Sequence, residues 1–85
     1  MNAEEKEEFR RLVRKFYAER PATAHSVTAV HFSVGRSLAC TIPEVEAACQ
    51  FLLDRGQLKE IPNKMGSLRY FQIHADGTLA HERGE

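Results

Sequence analysis

The sequence contains no tryptophan, only two cysteines and no net charge. Its 12 basic residues balance its 12 acidic ones, so overall charge gives no argument for a nucleic-acid partner. No apolar run approaches the roughly 20 residues of a membrane-spanning helix, and the polar first residues are unlike a secretory signal. We therefore expect a cytoplasmic protein that makes no membrane contact.

Patterns for metal binding and catalysis are also missing. The two cysteines, Cys40 and Cys49, and the four histidines form no CxxC pair, no HExxH motif and no histidine pair at i, i+4. The chain has no nucleophile elbow and no phosphate-binding loop. Glu44 and Glu46 are two residues apart on a predicted helix, so their carboxylates point about 160° apart. We expect no enzyme activity, no cofactor and no metal, with both cysteines reduced in a cytosolic protein.

The length of 85 residues corresponds to one domain, residues 1–85, with a single modest core. Its clearest element is a helix over residues 3–20. Five large apolar residues recur there at the spacing of one helix face: Phe9, Leu12, Val13, Phe16 and Tyr17. Acids precede bases along this helix, which suits the helix dipole and allows a Glu7–Arg11 ion pair. Pro21 predicts that the helix ends just before it.

A second helix is predicted over residues 24–34. Thr23 is its expected N-cap and Gly35 its expected end. Three valines at helical spacing are predicted to face inward: Val27, Val30 and Val34. The link that follows is expected to be irregular or to contain a short strand near Leu38.

The third predicted helix, residues 42–55, has the strongest end signals. Thr41 and Glu44 match a capping box, with a proline inside the first turn where no backbone N–H is needed. Gly56 is the expected residue just past its C-terminal end. Four residues are predicted to form its buried stripe: Val45, Ala48, Cys49 and Leu52.

Two strands, residues 57–61 and 67–73, are predicted after the third helix. The loop between them contains proline, asparagine and glycine, which favour turns. Because side chains alternate along a strand, Phe71 and Ile73 share one face, and we expect both in the core. A last short helix is predicted over residues 75–82.

Three segments of the sequence carry a resemblance to a known family: ERPATAHSV, VEAACQFLLDRGQLKEI and YFQIHADG. They cover the passage between the first two helices, the third helix running through glycine into a strand, and the next strand entering the last helix. In this order the chain resembles the winged helix-turn-helix domains of bacterial transcription regulators. The resemblance implies an α+β fold with a three-helix core, a two-stranded β-hairpin wing and a short C-terminal helix.

The same resemblance implies a non-enzymatic module that binds double-stranded DNA and regulates transcription. Residues 55–69 include four basic side chains and one acidic side chain. A basic hairpin can lie along a minor groove or a phosphate ridge. We expect such contacts from four side chains of the hairpin: Lys59, Asn63, Lys64 and Arg69. Because one small monomer offers few phosphate contacts, we also expect pairing into a homodimer.

Three further candidates for DNA contact belong to the third helix and the link before it. Arg36 and Thr41 lie near the helix start, where backbone N–H groups can meet a phosphate, and Gln50 lies on the outward face. Each has a simpler alternative, since Arg36 suits a solvent-facing loop and Thr41 is already explained as a cap. The basic residues of the hairpin also have a simpler alternative role, because Lys and Arg on edge strands block aggregation.

A protein-interaction or adaptor module is the alternative function. Acidic residues on the outward face of the third helix repel phosphates, so this helix is poorly suited to sequence-specific contact with DNA. Three residues on that face are the candidates for partner contact: Glu44, Phe51 and Asp54. Phe51 lies off the predicted buried stripe, so it either anchors a partner or is covered by the preceding link. The fold hosts both kinds of function and does not choose between them.

Overall fold

The computed structural model describes residues 1–35 and 39–85, and within them it contains four α-helices and a three-stranded antiparallel sheet. The elements in chain order are α1 (Ala3–Ala18), β1 (His25–Ser26), α2 (Val27–Val34), α3 (Ile42–Asp54), β2 (Leu58–Ile61), β3 (Tyr70–Ile73) and α4 (Ala75–Glu82). The predicted α+β class is confirmed.

Local end signals fix the bounds of α3. Thr41 accepts a hydrogen bond from the Glu44 backbone N–H, while the Glu44 carboxylate accepts one from the Thr41 N–H, which confirms the capping box. At the other end Gly56 has a φ of 73°. The backbone N–H of Gly56 donates to the Leu53 carbonyl and that of Gln57 donates to the Leu52 carbonyl, and these hydrogen bonds close the last turn. This is the closure that a glycine in the left-handed region allows, as predicted.

The start of the second helix was predicted wrongly. Ser26, not Thr23, is the N-cap of α2, and its hydroxyl accepts from the Ala29 backbone N–H. Residues 25 and 26 form β1, which pairs antiparallel with β3. The Thr23 hydroxyl instead lies 2.8 Å from Nε2 of His25. The strand predicted near Leu38 lies outside the described residues.

The two predicted strands form the hairpin, but they belong to a three-stranded sheet with the order β1-β3-β2. Leu58 pairs with Ile73 and Ile61 with Tyr70, so β3 begins three residues later than predicted. Residues 62–69, called the hairpin loop below, connect β2 and β3.

The core lies between the helices and one face of the sheet. Phe71, completely buried, and Ile73 point into it as predicted. All four residues of the predicted α3 stripe are buried, and so are four of the five on the α1 stripe, Leu12 being half-buried. The first helix ends two residues before the predicted position, at Ala18. Among the described residues, no helix combines the length and the apolarity needed to cross a bilayer.

Candidate nucleic-acid interface

The hairpin presents two lysines to solvent. Lys59 lies on β2, an edge strand of the sheet, and Lys64 lies in the hairpin loop. Both side chains are exposed, and neither forms a hydrogen bond or an ion pair with any described residue. These two cations are therefore available to an anionic partner.

Arg69 is placed differently from these lysines. Its Nε and Nη2 donate to the two carboxylate oxygens of Glu60 at 3.0 and 2.9 Å, a bidentate pair. The same guanidinium donates to Gln50 at 2.8 Å and lies 3.5 Å from the Glu46 carboxylate. Its side chain is 28 % exposed. Arg69 therefore joins the hairpin to α3 and has two carboxylates as partners before any ligand arrives.

Strand alternation explains the inward direction of Arg69. Residues 69, 71 and 73 share one face of their chain segment, and Phe71 and Ile73 occupy the core. The guanidinium carbon lies 5.0 Å from the centre of the Phe71 ring. The side chain thus lies on the helix side of the sheet, while Lys59, which pairs with Gln72, lies on the opposite face.

The electrostatics of this cluster follow from its geometry. The hydrogen bonds to Glu60 raise the pKa of Arg69 above its ordinary value, and its burial opposes this only in part. Conversely, Arg69 lowers the pKa of Glu60. Arg69, Glu60 and Glu46 together carry one net negative charge. The net charge of the cluster therefore does not attract phosphate.

Three other predicted DNA contacts have partners within the protein. The amide of Gln50 accepts from Arg69 and donates to Asp54 at 2.8 Å. Asn63 shapes the hairpin loop, since its amide donates to the Leu68 carbonyl and accepts from the Met65 N–H. Thr41 is engaged as the cap of α3. Arg36 lies outside the described residues.

The residues proposed for protein interaction are also engaged within the protein. Phe51 is half-buried, and two guanidinium carbons lie over its ring, that of Arg10 at 3.6 Å and that of Arg55 at 4.5 Å from the centroid. Glu44 belongs to the capping box, and hydrogen bonds from Thr41 lower its pKa. Asp54 accepts from Gln50. Arg10 and Arg55 thus cover part of the Phe51 ring; residues 36–38 of the link predicted to cover it lie outside the described residues.

The sequence analysis missed two features of the structure, one on the hairpin loop and one on α1. Met65 in the hairpin loop is 94 % exposed, and Leu68 is exposed as well, so the loop carries an apolar tip beside Lys64. Arg14 on α1 is 6 % exposed although arginine is seldom buried. Its position next to the apolar stripe was the available signal, but its partners lie far along the chain.

Both cysteines are free thiols and both are buried. The hydroxyl of Tyr17 donates to the His25 carbonyl and lies 4.0 Å from the Cys49 sulfur. Burial raises the pKa of Cys49 to about 12 and also raises that of Cys40. Within residues 1–35 and 39–85, no three His, Cys, Asp or Glu side chains are grouped to hold a metal ion.

Comparisons of the chain with protein-family models, with curated proteins and with solved structures find no match.

Proposed function

We propose that this chain is a winged-helix domain that binds double-stranded DNA through its hairpin, as a DNA-associated protein or transcription regulator. Three helices precede the hairpin and one short helix follows it, which is the order that the sequence resemblance implies. In this proposal β2, the hairpin loop and β3 form the wing. Fold likeness alone does not assign a function, so the proposal depends on the side chains of the wing.

The observation that carries the proposal is the exposure of Lys59 and Lys64. Neither side chain has a hydrogen-bond or ion-pair partner among the described residues; Lys59 lies on β2 and Lys64 lies in a loop that is exposed over residues 64–68. Phosphate neutralisation by lysine releases condensed counterions and does not depend on base sequence. The wing accordingly supplies affinity with little sequence selectivity.

Helix α3 offers fewer side chains for contact with DNA bases than a recognition helix normally does. Base readout requires free Arg, Lys, Asn or Gln side chains, and the amide of Gln50 is already bonded at both ends. Nearby Glu46 and Asp54 would repel phosphates. Two lysines per monomer give weak binding, so the homodimer expected from the sequence is part of the proposal, because pairing doubles the number of phosphate contacts.

The adaptor function has less support. Its three candidate residues are engaged within the protein, whereas two of the candidates for DNA contact are not. A partner protein would have to displace the Arg10 and Arg55 guanidiniums to reach the faces of the Phe51 ring that they cover.

The test compares two double variants that lose the same charge. Lys59→Gln/Lys64→Gln removes the wing cations, and Lys6→Gln/Lys15→Gln removes two exposed lysines of α1. Titration of a labelled random-sequence duplex, followed by fluorescence anisotropy, should show that the wing double variant binds at least about tenfold more weakly than the α1 double variant. Equal losses in both would mean that only net charge matters, and the wing assignment would be rejected.

A further inference from the structure

A cleft separate from the hairpin lies between α1 and the C-terminal end of α3, with a volume of about 390 Å³. Four arginines line it, three on α1 and one just after α3: Arg10, Arg11, Arg14 and Arg55. Two acids, Glu7 and Glu85, also contribute to the wall. Cations therefore outnumber acidic side chains at this site although the whole chain is neutral.

The acids of the cleft are already engaged. Glu7 forms an ion pair with Arg11 at 3.0 Å, and the Glu85 side chain lies 3.7 Å from Arg83. Arg10 and Arg55 form no ion pair with a described carboxylate; their contact is the ring of Phe51. Two cations of the site are thus without an anionic partner in the described part of the chain.

These two cations are close to each other. Each guanidinium carbon lies over the same Phe51 ring, at 3.6 and 4.5 Å from its centroid, so their separation cannot exceed the sum of those distances. Like charges at such a distance repel, and the repulsion is stronger beside a half-buried aromatic surface than in open water. An anion that contacts both guanidiniums would offset this repulsion.

Arg14 adds a buried donor to the same wall. Its Nη1 donates to the Gln57 side chain at 3.1 Å and its Nη2 donates to the backbone oxygen of Glu85, while Nε has no hydrogen-bond partner among the described residues. Burial lowers the pKa of Arg14, an effect that Glu85 partly offsets. An unsatisfied N–H on a buried cation costs free energy, which a nearby anion would reduce.

We propose that this cleft binds a phosphate-class oxyanion, either as inorganic phosphate or as the phosphate group of a small metabolite. Guanidinium groups suit this ligand because their paired N–H donors match phosphate oxygens, and Arg10 on α1 and Arg55 just after α3 supply two such groups. The Arg14 charge strengthens the attraction from the floor of the cleft. The apolar ring of Phe51 keeps the two clamping guanidiniums in place before the anion arrives.

The first experiment titrates the full chain with inorganic phosphate and, separately, with sodium chloride of equal ionic strength, and records backbone amide spectra by NMR. Phosphate should produce saturable shifts that are largest around residues 10, 14, 51 and 55, and chloride should not. Shifts that do not saturate, or that match those of chloride, would show an adventitious ion only and overturn the proposal. A phosphomonoester such as glycerol phosphate then distinguishes a free anion from an esterified group as the ligand.

The second experiment uses two double variants with equal charge change. Arg10→Gln/Arg55→Gln should weaken phosphate binding at least about tenfold, whereas Lys59→Gln/Lys64→Gln should leave it unchanged. Arg10→Lys/Arg55→Lys keeps the charge and should recover only part of the affinity, since lysine lacks the planar pair of donors. Circular dichroism and urea unfolding establish that each variant is folded before it is titrated.

The same pair of variants separates this proposal from the DNA proposal. The cleft double variant should keep its affinity for duplex DNA, and the wing double variant should keep its affinity for phosphate. Loss of duplex binding in Arg10→Gln/Arg55→Gln without saturable phosphate binding to the native chain would overturn the small-oxyanion site and would place the cleft in the DNA-binding surface.

Discussion

Arg69 donates hydrogen bonds of 3.0 and 2.9 Å to the two carboxylate oxygens of Glu60, across the base of the hairpin loop. The same guanidinium reaches α3 through Gln50 and Glu46. One side chain therefore fixes the orientation of the hairpin relative to the third helix. A residue with this many internal partners contributes to architecture more than to phosphate attraction.

Replacing Arg69 by Gln should lower the free energy of unfolding by about 1–2 kcal/mol at neutral pH, because two carboxylates and an amide lose their donor. The estimate is modest because both carboxylates are partly exposed to solvent. Urea unfolding measures the loss. Arg11→Gln is the matched control, since its single pair with Glu7 is exposed and should be worth no more than about 0.5 kcal/mol. Equal losses in the two variants would contradict the role assigned to Arg69.

The stabilisation by Arg69 should depend on pH in a defined direction. Folding lowers the pKa of Glu60, so the ion pair contributes fully above the ordinary glutamate pKa, and its contribution is lost as pH falls through the lowered value. The difference between the native chain and Arg69→Gln should therefore shrink between about pH 6 and about pH 3. A difference that stays constant over this range would show that Glu60 is not coupled to Arg69.

Sequence reasoning succeeded where the determining interactions are local. Each end of α3 is determined by a few neighbouring residues. The capping box of Thr41 and Glu44 is present, and so is the turn at Gly56. The start of α2 was mistaken because His25 and Ser26 pair with β3, far along the chain. No periodicity marks a two-residue strand, and its pairing converts Ser26 into the cap.

In the candidate site, too, features that depend on local sequence could be predicted, and features that depend on long-range packing could not. Lys59 and Lys64, which were predicted as DNA contacts, are both exposed. The inward direction of Arg69 was available from alternation with Phe71, but its attraction to Glu46 depends on how α3 packs on the sheet. The position of Arg14 beside the apolar stripe of α1 was a local signal of its burial, but its acceptors, Gln57 and Glu85, could not be predicted because they lie far along the chain.

Gly77 in α4 is predicted to be essential for packing. A Cβ at this position would overlap the Gln57 carbonyl oxygen, which also accepts from the His74 N–H, and would lie 2.7 Å from Cδ1 of Ile73. Gly77→Ala should therefore cost about 2–3 kcal/mol despite the better helix propensity of alanine. Gly66 in the hairpin loop has open space around it, so Gly66→Ala should change stability by less than about 0.5 kcal/mol. Urea unfolding that ranks the two in the opposite order would contradict this packing.

Cys49 should resist thiol reagents in the folded protein. With a pKa of about 12 its thiolate fraction at pH 8 is on the order of one in ten thousand, and the sulfur is fully buried. Cys40, which is slightly exposed, should react first. Mass spectrometry after timed alkylation measures both rates, and labelling in urea provides the control in which the two react alike. Faster labelling of Cys49 in native buffer would contradict the buried Tyr17–Cys49 arrangement.

The salt dependence of duplex binding tests the central claim most directly. If Lys59 and Lys64 are the phosphate contacts, the logarithm of the association constant should fall with the logarithm of salt concentration at a slope of about −2 per monomer. Affinity would then drop about tenfold between about 50 and about 200 mM salt, and Lys59→Gln/Lys64→Gln should remove most of the slope. Absence of binding at the lower salt concentration, or an unchanged slope in that variant, would contradict a DNA-binding wing.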